Sequence, residues 1–263
     1  MLLKERVAVV TGGAGRLGRV IAATLGREGA RVVLADKDGE RMKQVLDTLN
    51  ASAPGSCSGV AGDVSDPGDV ERMMSEAEEK AGPADVLVNA HGIFPNCPVL
   101  EMTAEEWDRP FAVNVRGSML TCQFFARRWV ERGTGGAIVN VSSGASRSAR
   151  AGGSHYTGSK AALNMLTEVL AIELGPHGIR VNGVAPGLIL DDVVTAESDN
   201  QHPYVNLMLR GTPLGRTGRA EDVAEAIAFL ASDRSPWTTG ALLEITGGSH
   251  CGRTHVPLTR SMR

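Results

Sequence analysis

The sequence predicts an α/β fold: one domain built on a doubly wound parallel sheet of about seven strands, with helices on both faces. Three observations carry this. Short β-branched runs alternate with longer amphipathic stretches along the 263-residue chain. Most of the short runs are continuously apolar, as expected of strands covered on both faces. The first of them enters a glycine-rich turn with a helix directly behind it.

The strand-like runs are Val7–Thr11, Arg31–Asp36, a weaker Cys57–Gly62, Asp85–Ala90, Ala137–Ser143, Arg180–Pro186 and Ala241–Thr246. The helix-like stretches between them are Leu17–Glu28, Gly39–Asn50, Pro67–Lys80, Ala104–Glu131, Ser154–Leu174 and Ala220–Ala231. Asp66 before Pro67 reads as an N-cap followed by proline at the first helical position. Pro110 should kink the long fourth stretch or split off its first turn. Two segments break the rhythm: 187–218 reads as a polar loop and 249–263 as a tail. In a right-handed doubly wound sheet, ligands bind at the carboxyl ends of the strands near the topological switch point.

With 42% apolar and 22% charged residues, the chain has the composition of a globular protein with room for a deep cleft. A net charge of −3 and the absence of a basic block argue against nucleic acid as a partner. Cys57, Cys97, Cys122 and Cys251 form no close pair, so neither a zinc ribbon nor a redox CxxC is present. A reduced, cytoplasmic setting is expected. Lys4, Glu5 and Arg6 interrupt the N-terminus too early for a signal-peptide core, and no apolar run reaches membrane-spanning length.

The first strand runs into TGGAGRLG, residues 11–18, where Gly13, Gly15 and Gly18 spell a literal G-x-G-x-x-G. Glycines there let the backbone turn tightly and let a pyrophosphate approach a helix N-terminus, whose free N–H groups favour an anion. The bland alternative is an ordinary βα turn. Asp36 ends the second strand, 18 residues beyond Gly18. A carboxylate there accepts bonds from adenosine ribose hydroxyls and repels a 2′-phosphate, so NAD is expected over NADP. Against this stands a plain role for Asp36 or Asp38 as a helix cap. Lys37 and Arg16 weaken the preference, since either is able to meet a phosphate.

YTGSK, residues 156–160, lies near the start of a helix, where Tyr156 and Lys160 at i and i+4 share one face. A free phenol is a poor base at neutral pH, and a nearby ammonium lowers its pKa. The pattern alone is common. Its place after the fifth strand, 13 residues beyond Ser143 in a chain with only two tyrosines, carries more weight.

From about residue 5 to 248 the chain resembles the short-chain dehydrogenase/reductase family. The glycine turn, the Asp63-Val64 pair, NAHG after the fourth strand, Asn114 in NVRG, Ser143 in NVSS, YTGSK and Pro186-Gly187 come in family order and spacing. The resemblance implies a single Rossmann-type domain over 1–263 that binds a dinucleotide and interconverts alcohols and ketones. It implies Tyr156 as general acid/base and Lys160 as the holder of the nicotinamide ribose. It makes Ser143 the partner of the substrate oxygen and Asn114 the anchor of a proton-relay water at a helix kink. Gly12, Gly15, Arg16, Leu17 and Gly18 then line the pyrophosphate turn, with Asp36, Asp63 and Val64 around adenosine. Asn89 supports the sheet, Ala90 and Gly92 line the cofactor, and Pro186, Gly187 and Ile189 face the nicotinamide. A homotetramer is implied, or else a dimer, with the fourth and fifth major helices at one interface and the last strand at another.

Several positions depart from the family pattern. Arg16 stands where the short branch has its middle glycine, and Gly12, Gly15 and Gly18 fit the spacing of the longer branch. Arg16 either reaches a phosphate or points into solvent. NNAG reads NAHG, which brings His91 near the cofactor, either as a backbone-bonded ring or as a catalytic group. Asp191 occupies a place often held by threonine. The tail's His250, Cys251 and His255 are metal-ligand types without a fourth in view, so no metal is expected and the tail should pack on a neighbouring subunit.

The expected pocket walls are Ile93–Cys97, Gly144–Arg150 and Leu188–Arg210, a mixture of apolar and charged residues that fits a polyol, sugar derivative, hydroxy acid or acyl thioester. The leading expectation is an NAD(H)-dependent secondary-alcohol dehydrogenase. The rivals are an NADPH-dependent 3-oxoacyl-thioester reductase and a catalytically silent dinucleotide sensor or scaffold.

Overall fold

Residues 1–52, 55–195, 197–198 and 202–252 are described by a computed structural model. The strands are β1 (Val7–Thr11), β2 (Arg31–Asp36), β3 (Cys57–Ala61), β4 (Val86–Asn89), β5 (Gly136–Val141), β6 (Ile179–Pro186) and β7 (Leu242–Ile245). They form one parallel sheet in the order β3-β2-β1-β4-β5-β6-β7. The helices are α1 (Arg16–Arg27), α2 (Gly39–Ser52), α3 (Pro67–Ala81), α4 (Ala104–Pro110), α5 (Ser118–Arg132), α6 (Ser154–Leu174), α7 (Pro203–Arg210) and α8 (Ala220–Ala231).

The strands are continuously apolar because successive side chains enter two different cores. Ala8, Val10, Val32 and Leu34 pack with Ile21 and Leu25 of α1 and with Val223 and Ile227 of α8. Val7, Val9, Val33 and Ala35 face the other way, toward Met73 and Met74 of α3 and Phe125 and Trp129 of α5. Each such fully buried side chain contributes about 1.5–3 kcal/mol, so the sheet is a rigid platform. Its crossovers diverge from the β1–β4 neighbours, and the carboxyl ends of these two strands border the crevice.

Asp66 caps α3 as predicted, accepting from Asp69 N at 2.8 Å, with Pro67 behind it. Two expectations need correction. Pro110 does not split off the first turn, because the chain stays right-handed helical through it (φ −62°, ψ −34°). The distortion follows it: Phe111–Gly117 winds as a π-helix before α5 begins. A proline deletes one backbone hydrogen bond and crowds the carbonyl four residues back, and the wider winding begins directly behind it. The segment 187–218 is not all loop, since it contains α7. His202 caps that helix by accepting from Tyr204 N at 3.2 Å, and Leu209 is its buried anchor. Among the described residues, no helix is long and apolar enough to cross a membrane.

Candidate active site

The turn after β1 closes on itself tightly. Gly12 has φ +65°, and a Cβ there would lie 2.6 Å from the His91 backbone. A Cβ on Gly18 would fall 2.1 Å from the Gly12 carbonyl oxygen, so helix and turn meet only through glycine. Gly15 is the N-cap of α1 and offers no side-chain acceptor, which leaves the first N–H groups of the helix available to an anion. Arg16 opens the helix exposed, with Leu17 half-buried behind it.

Asp36 fastens this turn. Its Oδ2 accepts from Ala14 N at 2.9 Å and its Oδ1 from Asp38 N at 3.0 Å. Asp38, not Asp36, caps α2, accepting from Arg41 N at 3.0 Å. The cap alternative for Asp36 therefore falls away, and the carboxylate stands at the strand end beside the turn. Behind β3, Asp63 accepts from both the backbone and the hydroxyl of Ser65 (2.8 and 2.7 Å), while Val64 is buried against Gly117.

Across the crevice, residues paired in the parallel register build a buried polar chain. Thr11 is opposite Asn89, and Asn89 opposite Asn140. Asn89 donates to Asn140 at 2.9 Å and accepts from Thr121 at 2.8 Å, and Asn140 donates to Thr167 at 2.9 Å. Ala90 N donates to Thr11 O at 3.1 Å. His91 is held by two hydroxyls, Thr11 Oγ1 at 2.6 Å from Nδ1 and Ser118 Oγ at 3.2 Å from Nε2. Burial, reinforced by the charge of Lys160 and opposed by a backbone bond with Val113, pushes its pKa down to about 3. The ring is neutral and fully engaged as a strut between β1, β4 and α5. A Cβ on Gly92 would stand 3.3 Å from Asn114 Oδ1 and 3.5 Å from Lys160 Nζ, so glycine lets these two groups approach the strand end.

Asn114 lies in the π-helical turn and is completely buried. Its carboxamide accepts from Ile93 N at 2.9 Å and donates to Ile93 O at 3.0 Å and Ser159 Oγ at 2.9 Å. Ser159 donates in turn to Tyr156 O at 2.7 Å, tying the π turn to the first turn of α6. Lys160 is buried and donates to Val141 O at 2.7 Å; burial lowers its pKa to about 8.

Ser143 follows β5, and its Oγ accepts from Ala145 N at 3.1 Å. That leaves its O–H free to donate toward Tyr156. Burial raises the Tyr156 pKa, and the Ser143 hydroxyl and the Arg150 charge pull it back. Lys160, expected to do this, spends its contact on Val141 instead. Gly187 N donates to Ile245 O at 2.9 Å behind Pro186, and buried Ile189 bridges to Gly218.

The predicted residues lie at or just beyond the carboxyl ends of β1 to β6, or on the π turn and α6 that pack beside them. Sequence reasoning missed Ser159, Asn140 and the Ser142–Asn164–Ser146 relay behind α6, where Asn164 donates to Ser146 at 2.8 Å. Asn164 stands four residues beyond Lys160, a helical spacing that was available as a signal. The groove suits a dinucleotide: a glycine cradle that a Cβ would fill, a helix start without a side-chain cap, and a carboxylate at the end of β2. In the tail, His250 bonds Thr246 at 2.6 Å and lies 3.4 Å from Cys251; His255 lies outside the described residues.

Beyond Pro186 a separate cavity of about 500 Å³ is lined by Leu188, Leu209, Arg216, Glu244 and Thr246, among others, without Ser143 or Tyr156. It is the underside of the loop after β6.

Comparison with known proteins agrees with this geometry. The family model described as enoyl-(acyl carrier protein) reductase matches residues 13–250. The chain is 40% identical to L-xylulose reductase of Homo sapiens over 248 residues, covering 94% of this chain and 98% of the relative. It is 38% identical over 251 residues to L-rhamnose 1-dehydrogenase (NAD(P)(+)) of Azotobacter vinelandii, again covering 94% and 98%. The crystal structure of a short-chain type dehydrogenase/reductase from Mycobacterium marinum superposes with a TM-score of 0.86 at 33% identity, covering 95% of this chain and 97% of that one.

Proposed function

The chain belongs to the short-chain dehydrogenase/reductase family, an NAD(P)-dependent oxidoreductase acting on CH–OH groups, and from that premise we propose that it interconverts a secondary alcohol and its ketone with NAD(H), using Tyr156 as general acid/base. The observation that carries this reading is the partnership of Ser143 and Tyr156: Ser143 Oγ accepts from Ala145 N, and the Ser143 hydroxyl holds down a phenol pKa that burial raises.

A nicotinamide cofactor held by the glycine turn, Lys160 and Ile189 would supply the hydride chemistry. Ser143 and Tyr156 hold the substrate oxygen between their hydroxyls. Tyr156 takes the alcohol proton at its phenolic oxygen, or gives one to the ketone. Ser143 stabilises the phenolate by donating to it. Lys160, kept in place by Val141, holds the nicotinamide ribose. Asn114 locks the π turn and anchors the relay water. The glycine turn from Gly12 to Gly18 holds the pyrophosphate, and Asp36 favours a ribose with a free 2′-hydroxyl.

The protein is read as a homotetramer. Met165, Val169 and Ile172 recur on one face of α6 and stay exposed, and Phe229, Leu243 and Trp237 are exposed around α8 and β7. Four free cysteines fit a reducing compartment such as the cytoplasm. The description of the matching family model keeps an acyl-thioester reductase as the second reading. A screen of secondary alcohols with NAD, followed by NADH formation, tests the first. Strong NADPH preference with 3-oxoacyl thioesters overturns it in favour of the second.

A further inference from the structure

The geometry points to Arg150 as the residue that selects the substrate, and to a hydroxy acid, a secondary alcohol bearing a nearby carboxylate, as the class selected. This rests on the reading of Tyr156 given above.

Arg150 lies between the short turn Gly144–Ser146 and α6. Its guanidinium carbon sits 5.7 Å from the centroid of the Tyr156 ring, and its Nη1 is 3.5 Å from the phenol of Tyr204 on α7. The exposed cation thus lies between the Tyr156 ring and α7. Gly153 makes this placement feasible: a Cβ there would come 2.9 Å from Arg150 Cγ and 3.2 Å from Nε. On another side of the same ring, Phe94 stands edge-on at 6.5 Å and supplies an apolar wall.

Three other arginines near the crevice have acidic partners, whereas Arg16 at the glycine turn pairs with no carboxylate among the described residues. Arg147 faces Glu244 at 3.4 Å, Arg19 faces Asp191 at 3.5 Å, and Arg216 is paired with Asp222 at 2.8 Å. Arg150 pairs with no carboxylate among the described residues, and its polar contact is a neutral phenol. A guanidinium presents a planar fork of donors that matches a carboxylate in a bidentate fashion. A neutral polyol leaves most of that fork unsatisfied, and the reacting end of an acyl thioester carries no charge to meet it. The charge also acts on Tyr156 itself, drawing the phenol toward ionisation. One side chain thereby couples substrate choice to the proton step.

The test compares matched pairs, gluconate with sorbitol and 3-hydroxybutyrate with 1,3-butanediol, in wild type, Arg150→Gln and Arg150→Lys. Wild type should favour the acid of at least one pair in kcat/KM by about 10- to 100-fold, the worth of a hydrogen bond to a charged group. Arg150→Gln should erase the preference by raising KM for the acid while leaving KM for the neutral alcohol unchanged. Arg150→Lys should recover part of it, since charge returns without the fork. The alkaline shift of the kcat profile in Arg150→Gln is a second readout that a merely structural role would not move. Equilibrium binding of acetoacetate against butanone to the NADH complex repeats the comparison without turnover. A preference for acetoacetate lost in Arg150→Gln supports the inference; no preference for the acid in either assay, or one untouched by Arg150→Gln, overturns it. Acid selection through Arg150 alongside normal turnover by Tyr156→Phe would sink the reading of Tyr156 and leave that of Arg150 standing.

Discussion

The carboxylate of Asp36 accepts a hydrogen bond from Ala14 N at 2.9 Å, which fastens the end of β2 to the glycine turn behind β1. Together with the bond from Asp38 N to its other oxygen, it holds the carboxylate at the strand end, where the proposed function puts the adenosine ribose. Replacing Asp36 with alanine removes both the ribose acceptor and the charge that repels a 2′-phosphate. We expect kcat/KM with NADH to fall about 10- to 100-fold, with less loss for NADPH. The ratio of the two, measured in variant and wild type, checks this; an unchanged ratio denies Asp36 its role in cofactor choice.

Asp36 also shows how much of the site was legible. The sequence offered two readings for it, ribose acceptor or helix cap, because both need a carboxylate at the end of a strand. The fold gives the α2 cap to Asp38, which removes the second reading for Asp36 and leaves the first as the proposal. Most strands were readable because they are buried on both faces and so are continuously apolar; the edge strands β3 and β7 are only partly buried. α7 was not, because eight residues anchored by one buried leucine leave too short a periodic signal. The π winding was not foreseen for a related reason: Pro110 marks a disturbance, but its form depends on Asn114 finding Ile93 and Ser159 in three dimensions. The role of Arg150 has no local signature at all, since the glycine that admits its side chain and the phenols it meets are distributed over α6, its approach and α7.

Two glycines of the first βα unit should respond to alanine in opposite ways. Gly18→Ala drives a methyl into the Gly12 carbonyl, so it should cost about 2–3 kcal/mol and abolish tight NADH binding. Gly26, on the same helix, has nothing within 4 Å of a Cβ. Gly26→Ala should stabilise by about 0.5–1 kcal/mol through helix propensity and leave cofactor affinity alone. Urea unfolding and NADH fluorescence titration measure both effects.

Lys160 predicts an alkaline signature. Burial lowers its folded pKa to about 8 from an ordinary 10.5. Below pH 8 both folded and unfolded chains hold the proton, and the cost of burying the charge is fully present. Between pH 8 and 10.5 the unfolded chain binds more protons than the native one, so this residue's contribution to stability rises with pH. Lys160→Met has no such dependence. The variant's Tm minus that of the wild type should therefore decrease between pH 7 and pH 10 in cofactor-free protein. A constant difference would mean that Lys160 is not buried as a charge.

The central claim, that Tyr156 moves the proton, is tested most directly by Tyr156→Phe. The variant keeps the ring packed against Phe94 and beneath Arg150 but lacks the hydroxyl that meets Ser143. Its NADH dissociation constant and its kcat with an alcohol that the wild type oxidises should be measured on the same preparation. The account predicts a dissociation constant close to that of the wild type and a kcat lower by about 10²–10⁴-fold. Near-normal turnover, with cofactor still bound, would contradict it.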